Sequence, residues 1–414
     1  MTMDETPLPL PETTLHSLAS GVTLLEPLSR KGQGPGLIIV VTETGLSNSS
    51  TLRIEKGVPS PLMKWAEESY TVVEIVEDAF ANGADPITLA IAELGKAAKC
   101  EPKDAVGLVA YNLKLWNRTA PYLSSNPSIV AGIVYANANE EHKLGVSRIP
   151  ILHHLAGKMA RKPSRTDRRV VHDYPTAQSN LFATPFQSQF HYNLESVSHT
   201  RNLSFLKARM KGPWFDLEAI WDEHQYWEFE NRSVPQTMAT MVQEPYVNHV
   251  PTLTGGIGRE SLTKFYTHHF VYTNPSDIET ELISRSTGID RVIDEFIFKC
   301  THNEPLDWLI PGLPPTGRKL EIPFMAVVNI RGDRLYHEHI SWDQGTVLSQ
   351  LGLLPEYLPI PYQLPGYQDS SRVSQKLEYK IPVVGVDAAR KMRDKESVAS
   401  NDMFSFKVRD AGES

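Results

Sequence analysis

Residues 106–116 read VGLVAYNLKLW. Val106 to Ala110 have the apolar texture of a buried strand, and the pattern then turns sharply into a helix. Such a strand–turn–helix lifts a nucleophile out of a sheet when it reads Gly-x-Ser/Cys-x-Gly. Here Asn112 stands at the apex, with Ala110 and Lys114 at the two glycine positions. Asn has no ionisable oxygen or sulfur with which to attack a carbonyl. The segment therefore predicts an α/β sheet and withholds the chemistry that such a turn often carries.

Outward from this segment the pattern repeats. PGLIIVV (35–41), YTVVEIV (70–76), SIVAGIVYA (128–136) and RIPILHHLA (148–156) are apolar runs of the kind buried inside a parallel sheet. PLMKWAEES and PITLAIAELGKAAK between them carry helical patterns. Strand and helix alternating in this way predict a doubly wound parallel sheet that ends near Lys211-Gly212-Pro213. From Trp214 the texture changes. Helical DLEAIWDEHQYWEFEN, SVPQTMATMV and GRESLTKFYTHHF are mixed with the strand-like YVNHVPTL, ETELISRS, RVIDEFIFKCTH, KLEIPFMAVVNI and RLYHEHISWD. That order predicts a curved antiparallel sheet wrapped on helices, an α+β cone. Five of the seven tryptophans fall between 214 and 342, and the plainer reading makes them core rather than pocket wall. The expected division is an N-terminal extension (1–32), the α/β domain (33–213), the cone (214–365) and a polar tail (366–414), in which KLEYKIPVV could dock on a domain.

Composition excludes several classes of function. With 41 Lys+Arg against 49 Asp+Glu the net charge is −8, which disfavours nucleic acid as a partner. Two cysteines, expected in different domains, speak against a disulfide framework or a cysteine-rich zinc site. No apolar run approaches a membrane span, and MTMDETPLPLPETTLHSL lacks the pattern of a signal peptide, so a cytoplasmic, reduced protein without membrane contact is expected.

The first half resembles the dienelactone hydrolases, whose corresponding segment usually reads VGLVGYCLGG. WAEESYTVVEI resembles that family's strand after the first helix, Glu43 sits where it often has a glutamate, and YPTAQSNLF (174–182) resembles the segment that supplies its histidine. The resemblance puts the cysteine position at Asn112, the histidine position at Ser179 and the aspartate position at Met159-Ala160. With all three substituted, a pseudo-hydrolase is implied. His153, His154, His172, His191, His199 and Cys100 could regroup as a relocated nucleophile and base, although structural roles are the plainer reading.

The second half resembles the SnoaL-like branch of the nuclear transport factor 2-like superfamily, so the whole looks like a fungal-type fusion of the two. Thr301-His302, Pro314-Pro315-Thr316-Gly317-Arg318, Gly332-Asp333, LYHEHISWD and Gln350-Leu351-Gly352 carry this resemblance. It implies a cyclase, isomerase or dehydratase (lyase). Asp343 lies at the family's catalytic aspartate position, and His339 replaces the tryptophan four residues earlier. On the residues alone, strand alternation puts Leu335, His337 and His339 on one face, with Tyr336, Glu338 and Ile340 on the other. Asp343 follows at a strand end, where capping the next helix is an equal alternative to catalysis.

The expected catalytic residues are thus Asp343, His339 and His302, and the expected substrate-binding residues are His249, Trp308, His337 and Trp342. Asp307 is a further candidate for the cone mouth. The substrate would be a small hydrophobic carbonyl compound, with no cofactor and no metal. A homo-oligomer is left open. The set Gly332, His337, His339 and Asp343 also resembles the first metal motif of the cupins, but no second such motif follows. A non-catalytic binding module and an ester or lactone hydrolase are the competing functions.

Overall fold

In the computed structural model, which describes residues 6–42, 53–145, 147–160, 166–367 and 376–411, the chain builds two large sheets in succession. The first opens with a hairpin, β1 (Leu15–Ala19) and β2 (Val22–Leu25), followed by β3 (Gly36–Val41). A short ribbon, β4 (Ile54–Glu55) and β5 (Val58–Pro59), leads into α1 (Pro61–Glu67). Then come β6 (Thr71–Val76), α2 (Pro86–Lys96), β7 (Val106–Ala110), α3 (Leu113–Thr119), β8 (Ile129–Asn137), β9 (Ile151–Ala156), β10 (Arg169–Tyr174) and α4 (Tyr192–Met210). The sheet order is β1-β2-β6-β3-β7-β8-β9-β10, parallel from β6 to β10.

Its apolar runs are buried on both faces, as a parallel sheet requires. In β3, Leu37 and Ile39 pack under α1 and α4, while Ile38 and Val40 pack under α2 and α3. Ser60 caps α1 and Asp85 caps α2, each followed by a proline whose missing N–H costs the first turn nothing. Residues 15–25, expected in an extension, instead form the antiparallel edge hairpin of this sheet.

The second half starts with α5 (Leu217–Gln225), prolonged by a wider π turn at Tyr226–Glu230. It continues through α6 (Val234–Ala239), β11 (Met241–His249), β12 (Thr254–Ile257) and α7 (Arg259–Phe265), which has its own π turn at Tyr266–Phe270. Four long strands follow: β13 (Glu279–Thr287), β14 (Arg291–Thr301), β15 (Lys319–Arg331) and β16 (Arg334–Trp342), then α8 (Gln344–Gln350). They order as β12-β11-β16-β15-β14-β13, and only β11 and β16 pair in parallel. One face of this curved sheet and the helices α5 to α7 share an apolar core.

The tail is less irregular than expected. β17 (Tyr357–Pro359), β18 (Leu377–Lys380) and β19 (Arg409–Asp410) make a small sheet. Between them α9 (Asp387–Arg393) ties Arg393 to Glu281 of β13 and Glu321 of β15. Both cysteines are free and buried. Among the described residues no helix is long and apolar enough to cross a membrane.

The two halves meet where the β15–β16 turn enters the first. Gly332, at φ +59°, lies so close to α1 that a Cβ there would fall 2.2 Å from the Glu67 carbonyl oxygen. Arg331 donates to Glu67 at 3.0 Å, the Gly332 amide to Glu68 at 3.3 Å, and the Arg30 and Lys31 amides to Asp333, each at 3.1 Å.

Candidate active site

In the first half, Asn112 does what its chemistry favours. Its backbone is extended (φ −157°), and its side chain accepts from the Leu115 amide at 2.8 Å as the N-cap of α3. Ser179 caps the short turn at Asn180–Ala183 through the Leu181 amide. The Met159 amide donates to Asp173 at 3.2 Å. Glu43 lies outside the described residues. His154 is held by Tyr174 and Asn202, and His199 by Glu68. Burial pushes the Cys100 thiol up to about 11, away from nucleophilic use.

In the second half the helices and the inner face of the sheet enclose a pocket of about 500 Å³, counting its open mouth. Its walls are aromatic: Phe229, Phe270, Phe296, Phe298, Trp308 and Phe324. Its polar groups come from three elements. The π turn of α5 brings Glu228, β16 brings Glu338 and α7's π turn brings Tyr266, while His224, four residues before Glu228 on the same helix face, lies behind this lining.

These groups form one buried cluster. His224 Nε2 lies 3.1 Å from Glu228 Oε1 and 3.2 Å from Glu338 Oε1. The Tyr266 hydroxyl donates to Glu338 at 3.4 Å. On the other side of the ring, His224 Nδ1 is 2.6 Å from the Thr240 hydroxyl, which itself donates to the Thr237 carbonyl. With its hydrogen so used, Thr240 accepts, and Nδ1 is the donor. Burial works against a charge on His224, but the two carboxylates outweigh it and hold the imidazolium up to about 10. Glu338 moves upward, first through burial and then through the charge of Glu228, with His224 pulling the other way. Two carboxylates and one imidazolium leave one net negative charge in the cluster.

The residues expected from sequence are dispersed. His249 and Trp308 line the pocket wall, their rings 5.0 Å apart. Burial depresses the His249 imidazole to about 3, so it is neutral. Trp342 packs behind the wall against Phe324 and Trp308. Asp307 is half exposed and pairs with His269. His302 is buried, but its Nδ1 bonds Thr316 within a turn.

His337 and His339 stack on each other, 4.5 Å apart, on the outer face of the sheet with Tyr246. The alternation expected for this strand fails at one place. Ile330 pairs with Leu335 but Asn329 with His337, so Tyr336 is an extra residue that reverses the facing of everything after it. Asp343 is an exposed N-cap of α8, accepting from the Gly345 and Thr346 amides, and it does not line the pocket. The catalytic assignment to Asp343, His339 and His302 is corrected accordingly. The set of His337, His339 and Asp343 offers no metal geometry either. Among the described residues, the one group of three whose ligand atoms gather, all within 4.8 Å, is His224, Glu228 and Glu338.

A signal for the missed pair was present. In DEHQYWE the spacing from His224 to Glu228 places both on one face of a predicted helix. Alternation rightly set Glu338 with Ile340 opposite His337 and His339; the bulge, which leaves no mark in an alternating strand, is what puts Leu335 on the side of Glu338 and Ile340.

A family model described as SnoaL-like polyketide cyclase matches residues 223–351, so this part of the chain is a SnoaL-like domain. Solved structures similar to it include a nuclear transport factor 2-like protein of unknown function from Burkholderia pseudomallei (16% identity, 32% of this chain, 95% of that one, TM-score 0.26). Others are a protein with a ketosteroid isomerase-like fold from Catenulispora acidiphila (14%, 33%, 93%, 0.26) and TsrD from Streptomyces laurentii (15%, 34%, 100%, 0.29). A search of the curated proteins finds no match.

Proposed function

We propose that the cone pocket catalyses proton transfer next to a carbonyl of a small hydrophobic molecule, leading to isomerisation, cyclisation or dehydration. Glu338 is the group that takes and returns the proton. The observation that carries this is the buried cluster at the base of an aromatic pocket, with Glu338 only 4% exposed. A carboxylate with raised proton affinity works closer to neutral pH, where a base can also give its proton back. His224, charged and fixed by Thr240, lies almost equally close to both carboxylates, at 3.1 and 3.2 Å, and Glu338 also accepts from the Tyr266 hydroxyl. Tyr266 donates its one hydroxyl hydrogen to Glu338, and as Glu338 takes the substrate proton that hydrogen is freed to turn to the enolate oxygen. The aromatic walls exclude water and suit a flat apolar substrate.

The family match to residues 223–351 supports a reaction of this class. The N-terminal unit reads best as a degenerate dienelactone hydrolase-like scaffold, supported by the capping roles of Asn112 and Ser179. The test is exchange of α-protons in deuterated water for a panel of aromatic and alicyclic ketones. Glu338→Gln should lower exchange by ~10²–10⁴-fold. Full exchange in that variant sinks the assignment, and exchange lost instead on blocking a serine or cysteine would favour the hydrolase.

A further inference from the structure

We infer that the N-terminal unit decides which side chains of β16 face the pocket, by holding the bulge at Tyr336. The inference rests on Glu338 as the pocket's carboxylate. Leu335 belongs to the same apolar core as Ile340. Strict alternation from Leu335 would turn His337 and His339 inward and Glu338 outward. The extra residue prevents this, since a strand slipped by one exchanges its two faces. One residue thus chooses between a carboxylate floor and an imidazole floor.

Tyr336 is held jointly by the other half of the molecule and by its own neighbour Arg331. Its hydroxyl lies 3.0 Å from that of Tyr192 on α4. The guanidinium of Arg331 sits 3.6 Å from its ring centroid, and Arg331 is itself bonded to Glu67 on α1. A Cβ on Gly57, between β4 and β5, would fall 2.9 Å from the Tyr336 hydroxyl, so this turn too closes on the ring. The nearby β15–β16 turn is pinned by Glu68, Arg30 and Lys31, which leaves the strand no slack to take up the extra residue elsewhere. Tyr336 is therefore a positioning residue, and the N-terminal unit is a clamp on the catalytic strand. That role needs a rigid surface and no nucleophile.

The test follows the ring nitrogens of His224 by NMR across pH in the full-length chain. Glu338→Gln sets the reference, and its loss of a buried counter-charge should lower the His224 midpoint by ~1–3 units. Deleting Tyr336 should lower it by a similar amount, because Glu338 then faces away. Tyr336→Ala, which keeps the residue count but frees the bulge, should show a second His224 signal with the lowered midpoint, and Tyr336→Phe should restore most of the original one. Should the deletion not fold, Tyr336→Ala decides. A folded deletion or Ala variant with the unaltered midpoint, beside a Glu338→Gln variant that shifts, overturns the inference alone. An unshifted Glu338→Gln variant removes Glu338 from the cluster, and both the proposed function and the clamp fall.

Discussion

At His224 one side chain links the fold to pH. Its imidazole is completely buried and is held up to about 10 by Glu228 and Glu338. A folded value above the ordinary 6.5 means that the native state binds the proton more tightly than the unfolded chain. The stabilisation is fully present below pH ~6.5 and is lost as pH rises through about 10. His224→Gln should cost about 3 kcal/mol near pH 6, because it leaves two buried carboxylates without their counter-charge. The gap between variant and wild type in urea melts should narrow steadily from pH 7 to 10; a gap independent of pH would mean that the ring is neutral in the fold. His249 and Trp308, expected to bind substrate, do line the pocket, although the plainer reading of the tryptophans was core. His224 was not singled out, since a helical histidine acquires meaning only from the carboxylates that the fold brings to it.

On the scale of elements, what was legible followed burial. The strands β3, β6, β7, β8 and β9 are continuous apolar runs because both faces are covered, and each was placed within a few residues. α4 went unread because the buried face of its first half is polar, with Glu195, Ser198, His199 and Asn202, and only its second half buries apolar Leu203, Leu206 and Met210. β16 was found but misoriented at Tyr336. Asp343 illustrates how a strand end and a helix start compete for one reading. Its carboxylate takes the Gly345 and Thr346 amides and the Thr346 hydroxyl, at 3.2, 2.8 and 2.7 Å. Asp343→Asn should leave melting within ~0.5 kcal/mol of wild type, while Asp343→Ala loses ~1 kcal/mol through the uncapped α8. Neither should change proton exchange. Loss of exchange in the Asn variant would return Asp343 to the chemistry.

Across the whole molecule the two halves are joined by charges out of contact with water. Glu67, Glu68, Lys64, Glu195, His199, Lys207 and Arg331 are all buried between them. Two histidines in this layer are neutral. Burial lowers His199, whose ring is set among Glu68, Lys64, Glu195, Arg331 and Asp290; Lys64 and Arg331 lower it further, against the pull of Glu195 and Asp290. Burial also lowers His337 to about 2, helped by His339, Arg291, Arg331 and Lys64. A depressed histidine has the opposite sign to His224. Its contribution is intact above the unfolded value near 6.5 and is lost as pH falls below it, because the unfolded chain then takes up protons that the docked layer refuses. Each such histidine costs up to ~1.4 kcal/mol per pH unit below 6.5. Stability should therefore fall steeply between pH 6.5 and 4. His337→Asn should flatten the fall, since an amide cannot charge. The measurement is urea unfolding at half-unit steps of pH. An unchanged slope in His337→Asn would show that the layer admits the proton, and hence that water reaches between the halves. That would also loosen the hold on Tyr336, because a wet interface could not keep Arg331 and Glu67 paired at full strength against its ring.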